Sequence, residues 1–422
     1  MQGRGRGSVF GRRSCVPAPL DTSKRNGCTR SFGSKRRDSQ EILSMKYRTW
    51  VEIDERALSS NISQLRALTS SGTRFCAVVK ANAYGHGLRE VVHIAARAGT
   101  DAFAVDSLDD ALSIRGWMPS ALIVVIGYTL HERLRDAVLA DIHLTVYDVD
   151  TIRAIEDIAA KEARQAHVHI KLETGTARQG VLADDLNAVI DALQSAPHVH
   201  VAGVSTHFAN IEDTSDTRFA TLQLSRFREA VDAVRARGLN PEWVHCACSA
   251  AIILYPETHG TLVRAGISMY GIWPSPITEQ TSRKHGVPCD LTPVLSWKSR
   301  IAQVKSLPTG SPVGYGLTEV LKRNSRLAVV PVGYWDGYDR GLSSIGETIV
   351  GGSRCRVVGR VFMNMIVIDV STVPNIEREQ EVLLLGRAGR HEVSANRIAD
   401  QLETIPYEIL ARINPTLPRV IV

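Results

Sequence analysis

The run CAVVKANAYGHG, residues 76–87, carries an apolar strand into one amine, Lys80, and then into a glycine-rich turn. A lysine held at the end of a buried strand is placed to attack a carbonyl group. Other reactive side chains fall at comparable points. Lys171 lies in HVHIKLE, with Arg178 in the loop beyond it. His207 ends HVAGVSTHF, and Ser249 follows WVHC. Arg264 sits in LVRAGISMY, followed at once by Gly266 and Ile267. The Ser249 hydroxyl and the backbone N–H groups of Gly266 and Ile267 have the chemistry of a phosphate cradle, because glycine lets backbone close on an anion. An isolated strand-end lysine facing such a cradle points to a Schiff base with a phosphorylated aldehyde.

These residues need a frame that brings strand ends to one rim. From about Tyr47 to Trp273, eight short apolar runs alternate with stretches of helical spacing, such as LREVVHIAARAG, that end on glycine. That number of strands in a stretch of this length predicts an α/β fold, an N-terminal (β/α)8 TIM-like barrel. Barrels keep their chemistry at the C-terminal ends of the strands, where all of these side chains fall. After Trp273 the texture changes to strand-like runs bounded by Gly, Pro and Ser, such as RLAVVPVGY and RCRVVGRVFMNMIVIDV. We read residues 46–285 as the barrel, 286–422 as a C-terminal mainly-β domain, and 1–45 as a basic, disordered N-terminal extension.

Composition is that of a globular protein: 422 residues, 44% hydrophobic and 22% charged. Residues 1–45 hold ten Lys/Arg against three Asp/Glu, a charge of +7, so of the net +6 the remaining residues carry −1 and are close to neutral. That balance argues against a general bias toward nucleic acid. The basic segment is Arg-rich and acid-poor but has no apolar core of a secretory signal. No apolar run reaches the length of a membrane span. Seven irregularly spaced cysteines read as free thiols of a cytoplasmic protein. His245-Cys246-Ala247-Cys248 lacks a second ligand pair, so no metal site is expected.

The runs AVVKANAYGHG, VSTHFAN, HCACSAA, VRAGISMYG, VGYGL and VGYWDGYDR, in this order, closely resemble alanine racemases. The resemblance covers about Tyr47 to Val422. It implies an isomerase that interconverts L- and D-alanine, supplying D-alanine for peptidoglycan, with pyridoxal 5'-phosphate bound covalently to Lys80. It further implies that Tyr84, Ser249, Gly266, Ile267 and Tyr407 hold the phosphate and that Arg264 faces the pyridine nitrogen. Tyr315 would be the second acid/base group, delivered from the other subunit of a homodimer. His207 and His245 would join the network around Arg264 and Tyr315. Arg178 and the Met363 N–H would bind the substrate carboxylate, with Lys171 positioning Arg178, and Tyr334 and Arg340 would stand near the entrance.

Racemisation removes a proton from one face of a carbon and returns one to the other, so two groups alternate as acid and base. Neither residue type suits neutral pH unaided: free lysine needs about 4.6 kcal/mol to be neutral at pH 7, and free tyrosine about 4 kcal/mol to ionise. The resemblance has departures. Glu173 and Gln179 stand where Asp and Leu are common, Cys248 replaces an Asn, and Asn364 replaces an Asp. None touches the two bases, but they leave serine as an alternative substrate, because pocket size and polarity set side-chain choice.

Overall fold

The computed structural model describes residues 46–422; the N-terminal extension lies outside the described residues. Strand β1 (Thr49–Ile53) is followed by β2 (Arg74–Val78), β3 (Ala102–Val105), β4 (Leu122–Val125), β5 (His143–Val146), β6 (Ala166–Lys171), β7 (Val199–Ser205), β8 (Trp243–His245) and β9 (Leu262–Ala265). Strands β2 to β9 form one sheet in the order β8-β7-β6-β5-β4-β3-β2-β9, every pair parallel. The gap between β8 and β9 is crossed by Thr261 N–H to the Val244 carbonyl and Arg264 N–H to the Ala247 carbonyl, each 3.0 Å. The sheet therefore curls into a nearly closed barrel, as expected of the eight apolar runs. Parallel strands are covered on both faces, which is why runs such as AFAV are buried at every position.

Helices between the strands start where a polar side chain caps them. Asp54 accepts from the Arg56 and Ala57 N–H groups at 2.9 Å, and Asp148 from Thr151 at 2.7 Å. Ser107 does the same for the helix Leu108–Trp117. Each cap is worth about 1 kcal/mol.

The second region is mainly β. It comprises β10 (Leu295–Arg300), β11 (Gln303–Leu307), β12 (Pro312–Val313), β13 (Glu319–Val320), β14 (Ser325–Val330), β15 (Glu347–Val350), β16 (Ser353–Arg356), β17 (Ile366–Asp369), β18 (Glu381–Ala388), β19 (His391–Val393) and β20 (Arg419–Ile421). Strand β1 lies in its largest sheet, antiparallel to β10 and parallel to β20. The start of the barrel therefore does not coincide with residue 46: the chain first contributes a strand to the second region. The short hairpin β12–β13 carries Tyr315 at its tip, between Gly314 and Gly316, whose φ angles are +79° and +73°. An ion pair from Arg356 to Glu319, 2.8 Å, braces it. No helix among the described residues is long and apolar enough to cross a membrane.

Candidate active site

Beyond β2 the backbone leaves the ordinary regions. Ala81, Asn82, Ala83 and Tyr84, all non-glycine, hold φ between +52° and +54°, a left-handed turn that opens directly after Lys80. Each such residue costs about 1–2 kcal/mol, so the surroundings must enforce it. Gly85 N–H donates to the Ala81 carbonyl (3.1 Å), Gly87 N–H to the Asn82 carbonyl (3.0 Å), and Leu88 N–H to Asn82 Oδ1 (2.8 Å). The helix Pro406–Ala411 presses on the turn so closely that a Cβ at Gly85 would stand 1.9 Å from the Leu410 carbonyl oxygen. That contact brings Tyr407, from the far end of the chain, to the barrel mouth.

A cavity of about 640 Å³ opens there. Its wall includes Lys80, Tyr84, Lys171, Arg178, His207, Ser249, Arg264, Gly266, Ile267 and Tyr407. Tyr315 and Met363 do not line it. They lie in the second region of the same chain, 72% and 55% exposed, with the Tyr315 ring set edge-on to Phe362 at 4.9 Å.

Arg264 comes from β9, in register with Cys76 of β2, and is buried. Its Nη1 donates to His245 Nδ1 (2.6 Å) and the His245 carbonyl (2.7 Å); its Nη2 donates to the Thr206 carbonyl (2.8 Å) and lies 3.4 Å from His207 Nδ1. Burial, followed by the neighbouring Arg264 charge, pushes both His207 and His245 well below the ordinary histidine range. Both rings are therefore neutral at pH 7 and present acceptors to the guanidinium. Burial, then Arg264 and Arg178, brings the Lys171 amine down to about 7.

The opposite wall is made of hydroxyls. Ser249 Oγ accepts from Gly266 N–H (3.0 Å) and Ser268 N–H (3.3 Å). A Cβ at Gly266 would lie 2.8 Å from Tyr84 Oη, so glycine there lets the phenol reach the backbone. The Tyr84 and Tyr407 rings stand 6.1 Å apart, and burial raises both hydroxyls above the usual tyrosine range. They remain protonated donors at neutral pH. Uncharged donors converging on a glycine backbone suit a phosphate monoester, and a donor-only guanidinium suits an unprotonated ring nitrogen. The residues present thus fit pyridoxal phosphate.

Among the departures, Glu173 and Cys248 fall at the site. Glu173 closes its loop by accepting from the Gly175 N–H (2.5 Å), the Arg178 N–H (3.1 Å) and the Thr176 hydroxyl (3.1 Å). Its longer side chain thereby fixes the backbone that carries Arg178. Burial raises the Cys248 thiol, which stays protonated on the cavity wall. Sequence reasoning missed three contributors. The Thr206 carbonyl holds Arg264, His169 lies 2.8 Å behind His245, and the Tyr270 hydroxyl donates to the Val78 carbonyl while its ring packs on Tyr84. Only His169 left a trace, the alternation His-Val-His-Ile-Lys in β6.

Residues 53–274 match the family described as alanine racemase, N-terminal domain, and residues 294–421 the alanine racemase C-terminal domain. The chain is 34% identical over 384 residues to the alanine racemase of Leptospira interrogans, covering 90% of this chain and 97% of that protein. The solved alanine racemase of Streptomyces lavendulae is 33% identical with a TM-score of 0.82, over 89% of this chain and 97% of that one. The alanine racemase of Bartonella henselae, solved with covalently bound pyridoxal phosphate, is 26% identical with a TM-score of 0.78, over 89% of this chain and all of that one (100%). Barrel and second region thus agree with relatives matched along nearly their whole length, and the chain belongs to the alanine racemase family.

Proposed function

We propose that this protein interconverts L- and D-alanine with pyridoxal phosphate as its cofactor, and that each active site is built from two copies of the chain. The observation that carries the reading is the cavity itself, with an amine at one strand end, a buried donor-only guanidinium and a cradle of protonated hydroxyls. Relatives named alanine racemase favour alanine over serine.

Bound in the cavity, pyridoxal phosphate would supply the electron sink that makes the α-proton of an attached amino acid labile. Tyr84, Ser249, Tyr407 and the N–H groups of Gly266 and Ile267 hold its phosphate, Lys80 anchors it, and Arg264 donates to its ring nitrogen. Arg178 and, from the second copy, the Met363 N–H bind the substrate carboxylate. Lys80 Nζ moves a proton at the α-carbon from one face, and the Tyr315 hydroxyl moves one from the other. Tyr315 is exposed and does not line its own chain's cavity, so it serves the cavity of a second copy. Exposed apolar side chains of the second region, among them Leu317, Trp335 and Met363, suit burial in that dimer. The unpaired cysteines among the described residues suit the cytoplasm.

Incubation of the pure protein with L-alanine in D2O tests the reading. Deuterium at the α-carbon of both enantiomers is the expected result. Exchange that retains configuration throughout, or no exchange, would overturn it.

A further inference from the structure

Behind Arg264 the barrel interior holds a file of histidines. His245 Nε2 lies 2.8 Å from His169 Nδ1, and His169 Nε2 lies 3.0 Å from His143 Nδ1. All three rings are buried. A guanidinium only donates, so His245 Nδ1 must accept from Arg264. A neutral imidazole carries its one hydrogen on the other nitrogen, so His245 Nε2–H donates to His169 Nδ1. The same constraint makes His169 Nε2–H donate to His143 Nδ1. One donor-only end thus sets the tautomer of three rings in turn.

We propose that His169 and His143 are positioning residues that fix the orientation of Arg264 through this one-way ladder, by denying His245 the tautomer that would aim an N–H at the guanidinium. The inference deepens the proposed activity and rests on Arg264 as the group facing the cofactor ring.

A second feature supports it. Strand β7 runs between β6 and β8, so the His169–His245 bond must cross it. The residue at the crossing, paired with both His169 and Trp243, is Gly203. A Cβ there would lie 2.3 Å from His169 Nδ1. The strand pairing also shifts register between Val168 and His169, which sets the ring opposite that glycine. Sequence and register together clear a passage for one hydrogen bond.

The ladder stays neutral. Burial lowers His169 to about 3, aided by Arg264, His167 and His200, and lowers His143 to about 2, aided by His169, His167, His200 and Arg115. His245 faces Arg264, His169 and Lys171. At the far end His167 stacks on His143 at 4.7 Å, with its Nε2 3.6 Å from Asp141. Protons do not travel this route to the reaction, because the guanidinium offers no lone pair to receive one. Orientation is what the ladder supplies.

Neutron diffraction from crystals of the holoenzyme at neutral pH reads the hydrogens directly. The expected map places one hydrogen on Nε2 of His245, His169 and His143 and none on Nδ1. A hydrogen on Nδ1 of any of the three overturns the proposal. Gly203→Ala keeps every ring but displaces His169. We expect it to lower kcat about tenfold, the upper end of what one hydrogen bond between neutral groups is worth, with the KM for alanine unchanged and a shifted cofactor absorbance band. His169→Asn, whose amide oxygen replaces the Nδ1 acceptor, should recover most of the kcat that His169→Phe loses. Full kcat in folded Gly203→Ala, or equal loss in the Asn and Phe variants, counts against the ladder. The hydrogens are read without turnover, so they test the ladder even if α-deuteration of alanine fails.

Discussion

Arg264 has both terminal nitrogens committed to the barrel wall, through His245, the Thr206 carbonyl and His207. Held this way it would present a bound cofactor ring with a cation that donates and never yields a proton, so the ring nitrogen would stay unprotonated and the electron sink moderate. A carboxylate would favour the protonated ring and a deeper sink. Arg264→Glu should therefore raise the fraction of turnovers that end in transamination, read as pyruvate formed per α-proton exchanged; an unchanged ratio refutes this account. Residues such as Lys80, Ser249 and Arg264 were legible because a side chain at the end of a short apolar run has only one rim to face. Thr206 was not, because it acts through its backbone carbonyl, which every residue type shares. His169 was not, because its partner sits two strands away, across a glycine that looks like any other strand glycine.

At the scale of elements, the left-handed turn after Lys80 depends on its contact with the helix Pro406–Ala411. Gly85 combines a φ of +83° with a Cβ position 1.9 Å from the Leu410 carbonyl. Gly85→Ala should destabilise the protein by about 2–5 kcal/mol through backbone strain and overpacking, measured as a lowered urea midpoint, and should weaken cofactor retention by moving Tyr407. An unfolding free energy within about 0.5 kcal/mol of the parent would sink this view. The eight barrel strands could be read from the sequence because each is centred on a short, mainly apolar run, and helical spacing separates most of them. The turn could not: Ala-Asn-Ala-Tyr has no local preference for four left-handed residues, and a segment more than 300 positions away enforces it. Strand β1 escaped for a related reason. Its antiparallel partner β10 begins at Leu295, and that pairing leaves no mark within TWVEI itself.

At the scale of the molecule, the position of Tyr315 outside its own chain's cavity would, under the proposed dimer, make activity a property of the pair. Mixing a Lys80→Ala protein with a Tyr315→Phe protein, each inactive alone, should restore racemisation, because a hybrid dimer contains one site with both intact groups; continued inactivity once hybrids have formed would return Tyr315 to its own chain. The buried histidines add a constraint on stability. Burial lowers His86 to about 4, His169 to about 3 and His143 to about 2, and holds His207 and His245 well below the ordinary range. In the unfolded chain these rings take protons near pH 6.5, whereas in the folded chain they do not until far lower. The folded state thus holds its full histidine contribution above about pH 6.5 and loses it as pH falls from there toward those lower values, by up to about 1.4 kcal/mol per pH unit for each ring. Carboxylates such as Asp101, held low by Arg66 and Arg74 against the opposing effect of burial, lose their contribution only near and below about pH 4. Between pH 6.5 and 5 the histidines therefore dominate. Urea unfolding of the holoenzyme at one protein concentration should show the midpoint dropping steeply over this interval, and His143→Gln should flatten the drop, because the unfolded variant has one fewer proton to gain. A midpoint constant from pH 7 to pH 5 would mean that these rings are not held neutral in the folded protein.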